Sequence, residues 1–359
     1  MQLGGTGSAE RISSPIVDAT SLRRSQLKAW DDIAALIQRH DRFVLTTHER
    51  PDGDGVGCEL ALAAFLKQLG KEVAIVNNDP VPEMLEFLDP HGSVRVYHPD
   101  RDDATLENAQ VVFVLDSAEG WSRLGELGEI MKGISAKAIC LDHHPDDGNF
   151  VDIAVIDPKA GATGELLFEL IDYMGGELSY EIAAALYVAI VTDTGSFRFG
   201  KTSSRTHCIA ARLLDAGAIP HQIYSCLYEQ RPLGHLLLQS QLLAQLTLAY
   251  GGRLAWSKVT REMLEMYGVE RRDITHLVDL GLSVAGVEVS ILFSERRNGK
   301  VQLNFRSKGR LAVNNIAQRL GGGGHPFAAG AQVSGPLSRA IQNVLEEVRR
   351  VWSQDGLLP

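Results

Sequence analysis

Residues 26–40 place Leu27, Trp30, Ile33, Ala34 and Ile37 three and four positions apart, the spacing of an amphipathic helix. A short apolar run, Phe43–Leu45, reads as a strand and leads into Thr46, Thr47 and His48. A polar, glycine-rich turn follows (ERPDGDGVG). Helical spacing then returns in CELALAAFLKQLG, which stops at Gly70, and Glu72–Val76 is again strand-like. This β-turn-α-β order is the opening of a parallel sheet covered by helices.

The pattern repeats further along. Val111–Leu115 is a buried-type strand ending in Asp116, and Ala138–Leu141 is another ending in Asp142. Residues 163–174 and 179–191 are helical, the second running into Thr192, Asp193, Thr194 and Gly195. Residues 202–217 open on a Thr or Ser cap and stop at a glycine.

From about 220 to 248 the alternation pauses. HLLLQSQLLAQLTLAYGG reads as one apolar-faced helix ending in a glycine pair. Beyond it come alternating strands at Arg253–Val259, Val287–Ser294 and Lys300–Arg306, with Asn298-Gly299 as the hairpin turn between the last two. Helices are expected at 261–266, 311–320 and 337–353. The fold class is therefore α/β, with an N-terminal parallel-sheet domain bearing helices on both faces and a smaller C-terminal α+β domain. The expected divisions are a flexible extension over 1–25, a first domain over 26–220, a helical linker over 221–250 and a second domain over 251–355.

The length of 359 residues agrees with two domains, and 45% hydrophobic with 22% charged residues can build both cores. The formal net charge of −10 disfavours a protein that coats long nucleic acid or an anionic membrane. The charge is uneven. Residues 251–359 carry 15 Lys/Arg against 10 Asp/Glu, while residues 1–250 carry 20 against 35. No run of 18 apolar residues exists, and the N-terminus lacks the basic-apolar-small order of a secretory leader. Cys58, Cys140, Cys208 and Cys226 are widely spaced and contain no C-x-x-C, which reads as reduced thiols. A cytoplasmic protein is expected.

Chemistry-bearing residues gather where apolar runs stop. His48, Asp52 and Asp54 follow the first strand on a turn that Gly53, Gly55 and Gly57 allow to fold tightly. Alone, Pro-Asp-Gly-Asp-Gly is equally a solvated turn. Asp116 ends VVFVLD, Asp142-His143-His144 ends AICLD, and Asp193 lies in TDTG. Each has a bland reading, since Asp at a strand end often caps the next helix. Together, four segments offer carboxylates and imidazoles at the ends where open α/β sheets bind ligands. Carboxylates brought together repel unless a cation compensates. Oxygen and imidazole donors without cysteine favour Mn²⁺, Mg²⁺ or Fe²⁺ over structural zinc. Two such ions sharing a carboxylate would suit phosphoryl transfer.

In the C-terminal part, Gly321–Gly324 followed by His325 presents bare backbone N–H groups, a nest for an anionic oxygen or else a hinge. It is not a Walker loop, since no Lys-Ser/Thr follows. Asn304-Phe305-Arg306-Ser307 ends a strand, and Arg306 could pair with a phosphate or stack on a base.

THERPDGDGVG, VFVLDSAE, LDHHP, VTDTGSFRF, NFRSKG and GGGGHPFAAGA, in this order, resemble the six motifs of the DHH/DHHA1 phosphoesterases. The resemblance covers roughly residues 40–345. It is strongest to the bacterial enzymes that combine oligoribonuclease (nanoRNase) activity with dephosphorylation of 3′-phosphoadenosine 5′-phosphate. It implies that His48, Asp52 and Asp116 hold one metal, and that Asp54, Asp116, His143 and Asp193 hold the other. The ions are typically Mn²⁺ and would position and deprotonate an attacking water. His144 would sit by the scissile phosphate and Asp142 would orient the histidines. Arg306, Ser307, Gly322, Gly323, Gly324 and His325 would hold the nucleotide, with both domains facing one cleft. Cys58 and Glu59 replace more usual small and amide residues, which blurs substrate preference. Relatives are often dimers, which leaves a homodimer open.

The expected substrates are short RNA oligonucleotides and small phosphorylated nucleotides, with no long duplex and no membrane partner. A hydrolase of c-di-AMP or pApA shares the site chemistry and stays open. A manganese inorganic pyrophosphatase would lack GGGGH, and a RecJ-like exonuclease would be longer and more basic. A nucleotide sensor with a dead site finds no support, because every expected ligand is present.

Overall fold

The computed structural model describes residues 24–146 and 148–354. The expected extension therefore lies almost wholly outside the described residues. The chain forms two compact units that divide between Gln230 and Arg231.

The first unit runs α1 (Arg24–Arg39), β1 (Arg42–Thr47), α2 (Gly53–Gln68), β2 (Glu72–Asn77), β3 (Val94–Val96), α3 (Pro99–Glu107) and β4 (Val111–Leu115). It continues with α4 (Gly125–Met131), β5 (Lys137–Asp142), β6 (Ile153–Ile156), α5 (Thr163–Tyr173), α6 (Tyr180–Asp193), α7 (Ser204–Asp215) and α8 (Pro220–Tyr228). Six strands form one sheet in the order β3-β2-β1-β4-β5-β6, and every neighbouring pair is parallel.

Side chains alternate between the two faces of a strand, and here both faces are covered. Phe43 and Leu45 of β1 and Val111, Phe113 and Leu115 of β4 enter a core shared with Leu62 of α2, Phe168 of α5 and Ile190 of α6. Val44, Val112 and Val114 enter a separate core with Leu106 of α3 and Leu127 and Met131 of α4. Double coverage is why β4 reads as an unbroken apolar run, with all five residues buried. The chain leaves β1 toward β2 on one side and reaches β4 on the other. The carboxyl ends of β1 and β4 are thus a topological switch point, where such sheets bind ligands.

The expected turn ERPDGDGVG is shorter than its composition suggests. Helix α2 begins at Gly53, inside the motif, because Asp52 caps it by accepting from the N–H groups of Asp54 and Gly55. A Cβ at Gly57 would stand 2.5 Å from the Ala185 carbonyl oxygen, so this glycine lets α2 lie close against α6.

The second unit comprises α9 (Leu233–Ala244), β7 (Thr247–Ala249), β8 (Leu254–Val259), α10 (Arg261–Tyr267) and a 3₁₀ helix over Arg271–Ser283. Then come β9 (Val289–Glu295), β10 (Lys300–Ser307), α11 (Asn314–Arg319), β11 (Gly323–His325), β12 (Ala328–Ser334) and α12 (Leu337–Gln354). Its sheet runs β11-β12-β10-β9-β8-β7. The β8–β9 pair is parallel and the others are antiparallel. Helix α12 buries Ala340, Ile341, Val344, Val348, Val351 and Trp352 in a core with Phe293 and Phe305.

The segment expected as a helical linker, 221–250, is instead three elements. Helix α8 belongs to the first unit, and Ile223 and Leu227 sit in its core. Helix α9 buries Leu238 and Leu242 against Leu264 and Leu277 of the second unit. The helix expected to continue to the glycine pair ends at Ala244, and Thr247–Ala249 pairs with β8. Gly251 and Gly252, at φ 68° and 83°, turn the chain between these strands.

Candidate metal centre

Four carboxyl-end segments of the first unit deliver the side chains. His48 follows β1, and its Nδ1 donates to the Glu49 carbonyl at 2.8 Å. That bond leaves Nε2 facing Asp52 Oδ2 (3.9 Å) and Asp116 Oδ2 (3.6 Å). Asp52 uses Oδ1 as the helix cap, which turns Oδ2 toward His48. Asp116, the residue after β4, has a left-handed backbone at φ 56°, rare for a side-chain-bearing residue and typical of functional positions.

His143 follows β5. Its Nδ1 donates to the Ala160 carbonyl at 3.2 Å. Its Nε2 lies 3.1 Å from Asp193 Oδ2, 3.7 Å from Asp116 Oδ1 and 3.9 Å from Asp54 Oδ2. That Nε2 atom is buried and without a hydrogen-bond partner. Asp193 is the last residue of α6, where the helix dipole disfavours a carboxylate. His144 differs from its neighbour. Its Nδ1 is held by Asp142 Oδ1 at 2.9 Å and faces Asp116 Oδ1 at 3.4 Å, and the side chain is half exposed. Asp142 also accepts from the backbone N–H groups of His144 and Ala118.

The donor atoms therefore form three overlapping groups, each within 4.8 Å: His48, Asp52 and Asp116; Asp54, His143 and Asp193; and Asp116, Asp142, His143 and His144. All eight were expected from the sequence, and all eight lie together.

The electrostatics of the cluster suit a cation. Asp54 is fully buried, and burial together with Asp116 and Asp193 pushes its carboxyl well above the usual range. Burial alone would lower the His48 imidazole, but Asp116, the Glu49 carbonyl and Asp52 outweigh it and raise it to about 9. Bonds to Asp116 and Asp142 raise His144 to about 11. Burial opposes ionisation of Asp116, yet His144 and His48 hold it far below the usual carboxylate range. An unpartnered imidazole nitrogen, crowded carboxylates and hard O/N donors all fit divalent cations.

Glu59 proves to be part of the scaffold. It is fully buried, accepts from Asn77 Nδ2 at 2.9 Å, and burial pushes it up to about 8. Asn77 Oδ1 in turn accepts from Thr47 N–H at 3.2 Å, next to His48. Two further residues support the cluster without a sequence signal. The backbone N–H groups of Thr163 and Gly164 donate to Asp54 at 2.6 and 2.9 Å, and the Thr163 hydroxyl donates to Asp116 Oδ1 at 2.9 Å. A Thr-Gly pair at a helix start is too common in sequence to signal this.

The residues expected to hold substrate lie in the second unit. Arg306 of β10 and His325 of β11 pair with opposite sides of Ala328 in β12. Arg306 Nε is 3.8 Å from Asp279 Oδ1, and the Ser307 hydroxyl accepts from Gly309 N–H. The tetraglycine is not the open loop its composition suggests, since Gly323, Gly324 and His325 form an edge strand. A Cβ on Gly322 would stand 2.0 Å from the Gly330 carbonyl oxygen. Close strand approach explains that glycine.

The N-terminal domain of the DHH family matches residues 42–190, and the DHHA1 domain matches residues 257–354. The bifunctional oligoribonuclease and PAP phosphatase NrnA of Thermus thermophilus is 37% identical over 320 residues, 88% of this chain and 91% of that protein. The chain belongs to the DHH family. The NrnA of Bacillus subtilis is 27% identical, over 84% of this DHH protein and 92% of its own length. The cyclic-di-AMP phosphodiesterase GdpP of Geobacillus thermodenitrificans is 26% identical over 89% of this chain, but over 49% of its own. Among solved structures, an exopolyphosphatase-related protein from Bacteroides fragilis superposes with a TM-score of 0.85 at 26% identity, covering 91% of this DHH chain and 96% of that one. The expected DHH and DHHA1 architecture holds. No helix among the described residues is long and apolar enough to cross a membrane.

Proposed function

We propose that this chain is a two-metal phosphoesterase that hydrolyses very short RNA to mononucleotides and 3′-phosphoadenosine 5′-phosphate to AMP. One observation carries the reading: Asp116 offers Oδ2 to the His48 group and Oδ1 to the His143 group. A carboxylate shared in this way is what a paired-ion site requires. His48, Asp52 and Asp116 would hold one ion, and Asp54, Asp116, His143 and Asp193 the other. Mn²⁺ is the preferred occupant, with Mg²⁺ or Fe²⁺ compatible with the same donors. Bound there, two such ions supply Lewis acidity to a phosphoryl group and acidify water at neutral pH.

The chain's own residues do the rest. Asp142 and Asp116 tether the half-exposed His144 ring through Nδ1, which leaves Nε2 to hold a proton for the leaving oxygen. The Glu49 and Ala160 carbonyls fix the tautomers of His48 and His143 so that each presents a lone pair. Arg306, Ser307, Gly322, Gly323, Gly324 and His325 would hold the terminal nucleotide. The basic excess of residues 251–359 suits that task, while the negative total disfavours a long polyanion.

The relationship to GdpP favours one second reading, hydrolysis of c-di-AMP or pApA. A hydrolysis panel decides between them. It compares a dinucleotide RNA, a longer RNA, 3′-phosphoadenosine 5′-phosphate, pApA, c-di-AMP and pyrophosphate, each with Mn²⁺ and with EDTA. Metal-dependent turnover led by the dinucleotide RNA supports the proposal. Turnover led by c-di-AMP supports the second reading.

A further inference from the structure

We propose that Thr163 is a positioning residue of the metal centre: the start of α5 orients Asp116 and Asp54, and the Thr163 hydroxyl thereby sets metal affinity. The inference rests on the two-metal reading and deepens it.

Helix α5 has no side-chain cap of its own, since Ala162 stands at its N-cap position. A helix start needs partners for its first N–H groups. Asp54, 109 residues earlier, supplies them, with Oδ2 accepting from Thr163 N–H and Oδ1 from Gly164 N–H. Backbone thus fixes one direction at each Asp54 oxygen, and Oδ1 also accepts from the Cys58 thiol at 3.4 Å. A Cβ on Gly164 would come within 2.8 Å of the Ala189 Cβ, so the glycine lets α5 approach α6 at this point.

The Thr163 hydroxyl does for Asp116 what these amides do for Asp54. Asp116 must divide its oxygens between two donor groups, and rotation about its side-chain bonds would misalign both. Thr163 Oγ1 donates to Oδ1 at 2.9 Å and stops that rotation. The preceding segment is itself anchored. Glu165 is buried and accepts from Gly161 N–H at 3.1 Å and from the Thr206 hydroxyl at 2.6 Å. Arg205 ties Glu169 (2.7 Å) and Asp157 (3.0 Å) beside it. The same segment presents the Ala160 carbonyl to His143. Residues 157–165 thus touch Asp54, Asp116 and His143, three proposed ligands on three different elements.

The test compares Thr163→Val, which keeps the volume and the backbone N–H but loses the donor, with Thr163→Ser, which keeps the hydroxyl. Mn²⁺ affinity is read by electron paramagnetic resonance on metal-stripped protein, and thermal melts check the fold. Thr163→Val should bind Mn²⁺ ~10–100-fold more weakly, the usual effect of losing a partner behind a ligand. Thr163→Ser should bind as the wild type does. At saturating Mn²⁺, KM for a dinucleotide RNA should be unchanged in both variants. Wild-type Mn²⁺ affinity in Thr163→Val would overturn the inference alone, as would a Thr163→Ser protein as weak as the valine variant. A wild-type protein that binds no Mn²⁺ would overturn the two-metal reading and this inference with it.

Discussion

His48 Nε2 stands 3.6 Å from Asp116 Oδ2, although the two residues follow different strands. The contact exists because β1 and β4 are neighbours in the sheet and both end at its switch point. Asp116 then reaches the opposite way toward His143. One side chain thus joins two donor groups.

Asp116→Asn is accordingly the sharpest single substitution. Asn tolerates the left-handed backbone at this position, so the fold should persist. Losing the shared charge removes several kcal/mol of transition-state stabilisation, hence activity on the order of 10³-fold. Circular dichroism and steady-state hydrolysis of a dinucleotide RNA check both halves. A folded Asp116→Asn protein with wild-type turnover would remove Asp116 from the shared role.

Glu59 predicts a pH dependence of stability. Its folded-state pKa, about 8, lies above the ordinary 4.5, so the folded chain favours the protonated form. Its contribution is fully present below pH 4.5 and is lost as pH rises through 8. Between those limits a few kcal/mol should disappear from the wild type. Glu59→Gln keeps an acceptor for Asn77 and carries no charge, so its stability should fall less across the same range. Urea melts of metal-free protein from pH 5 to 8 decide this, and equal slopes would contradict the assignment.

His325 is exposed on an edge strand beside β12, on the side opposite Arg306. His325→Ala should raise KM for a dinucleotide RNA ~10-fold and change kcat less, as expected for a group that binds substrate without joining the chemistry. The reverse pattern would move His325 into the reaction.

Much of this was legible in the chain because apolar runs stop at reactive residues. Val111–Leu115 and Ala138–Leu141 declare themselves as buried strands, so Asp116 and Asp142 are placed at strand ends without coordinates. Asp193 follows in the same way from the helix before it. What the chain concealed depends on tertiary partners. Gly53 starts a helix only because Asp52 caps it, which a run of Gly and Asp does not reveal. The edge strand over Gly323–His325 has no hydrophobic pattern, and its pairing with β12 alone defines it. Leu246 and Leu248 continue the apolar spacing of α9, yet Thr247–Ala249 is drawn into a ladder with β8. Thr163 matters through residues 47 and 109 positions away, a relationship no local pattern encodes.

Two divalent ions held through Asp116 would tie the hydrolysis to metal stoichiometry. Metal-stripped protein titrated with Mn²⁺ in the presence of a dinucleotide RNA tests it most directly. No turnover is expected in EDTA, and full activity only as the second equivalent of Mn²⁺ binds. Undiminished turnover in EDTA, or full activity at a single equivalent, would contradict it.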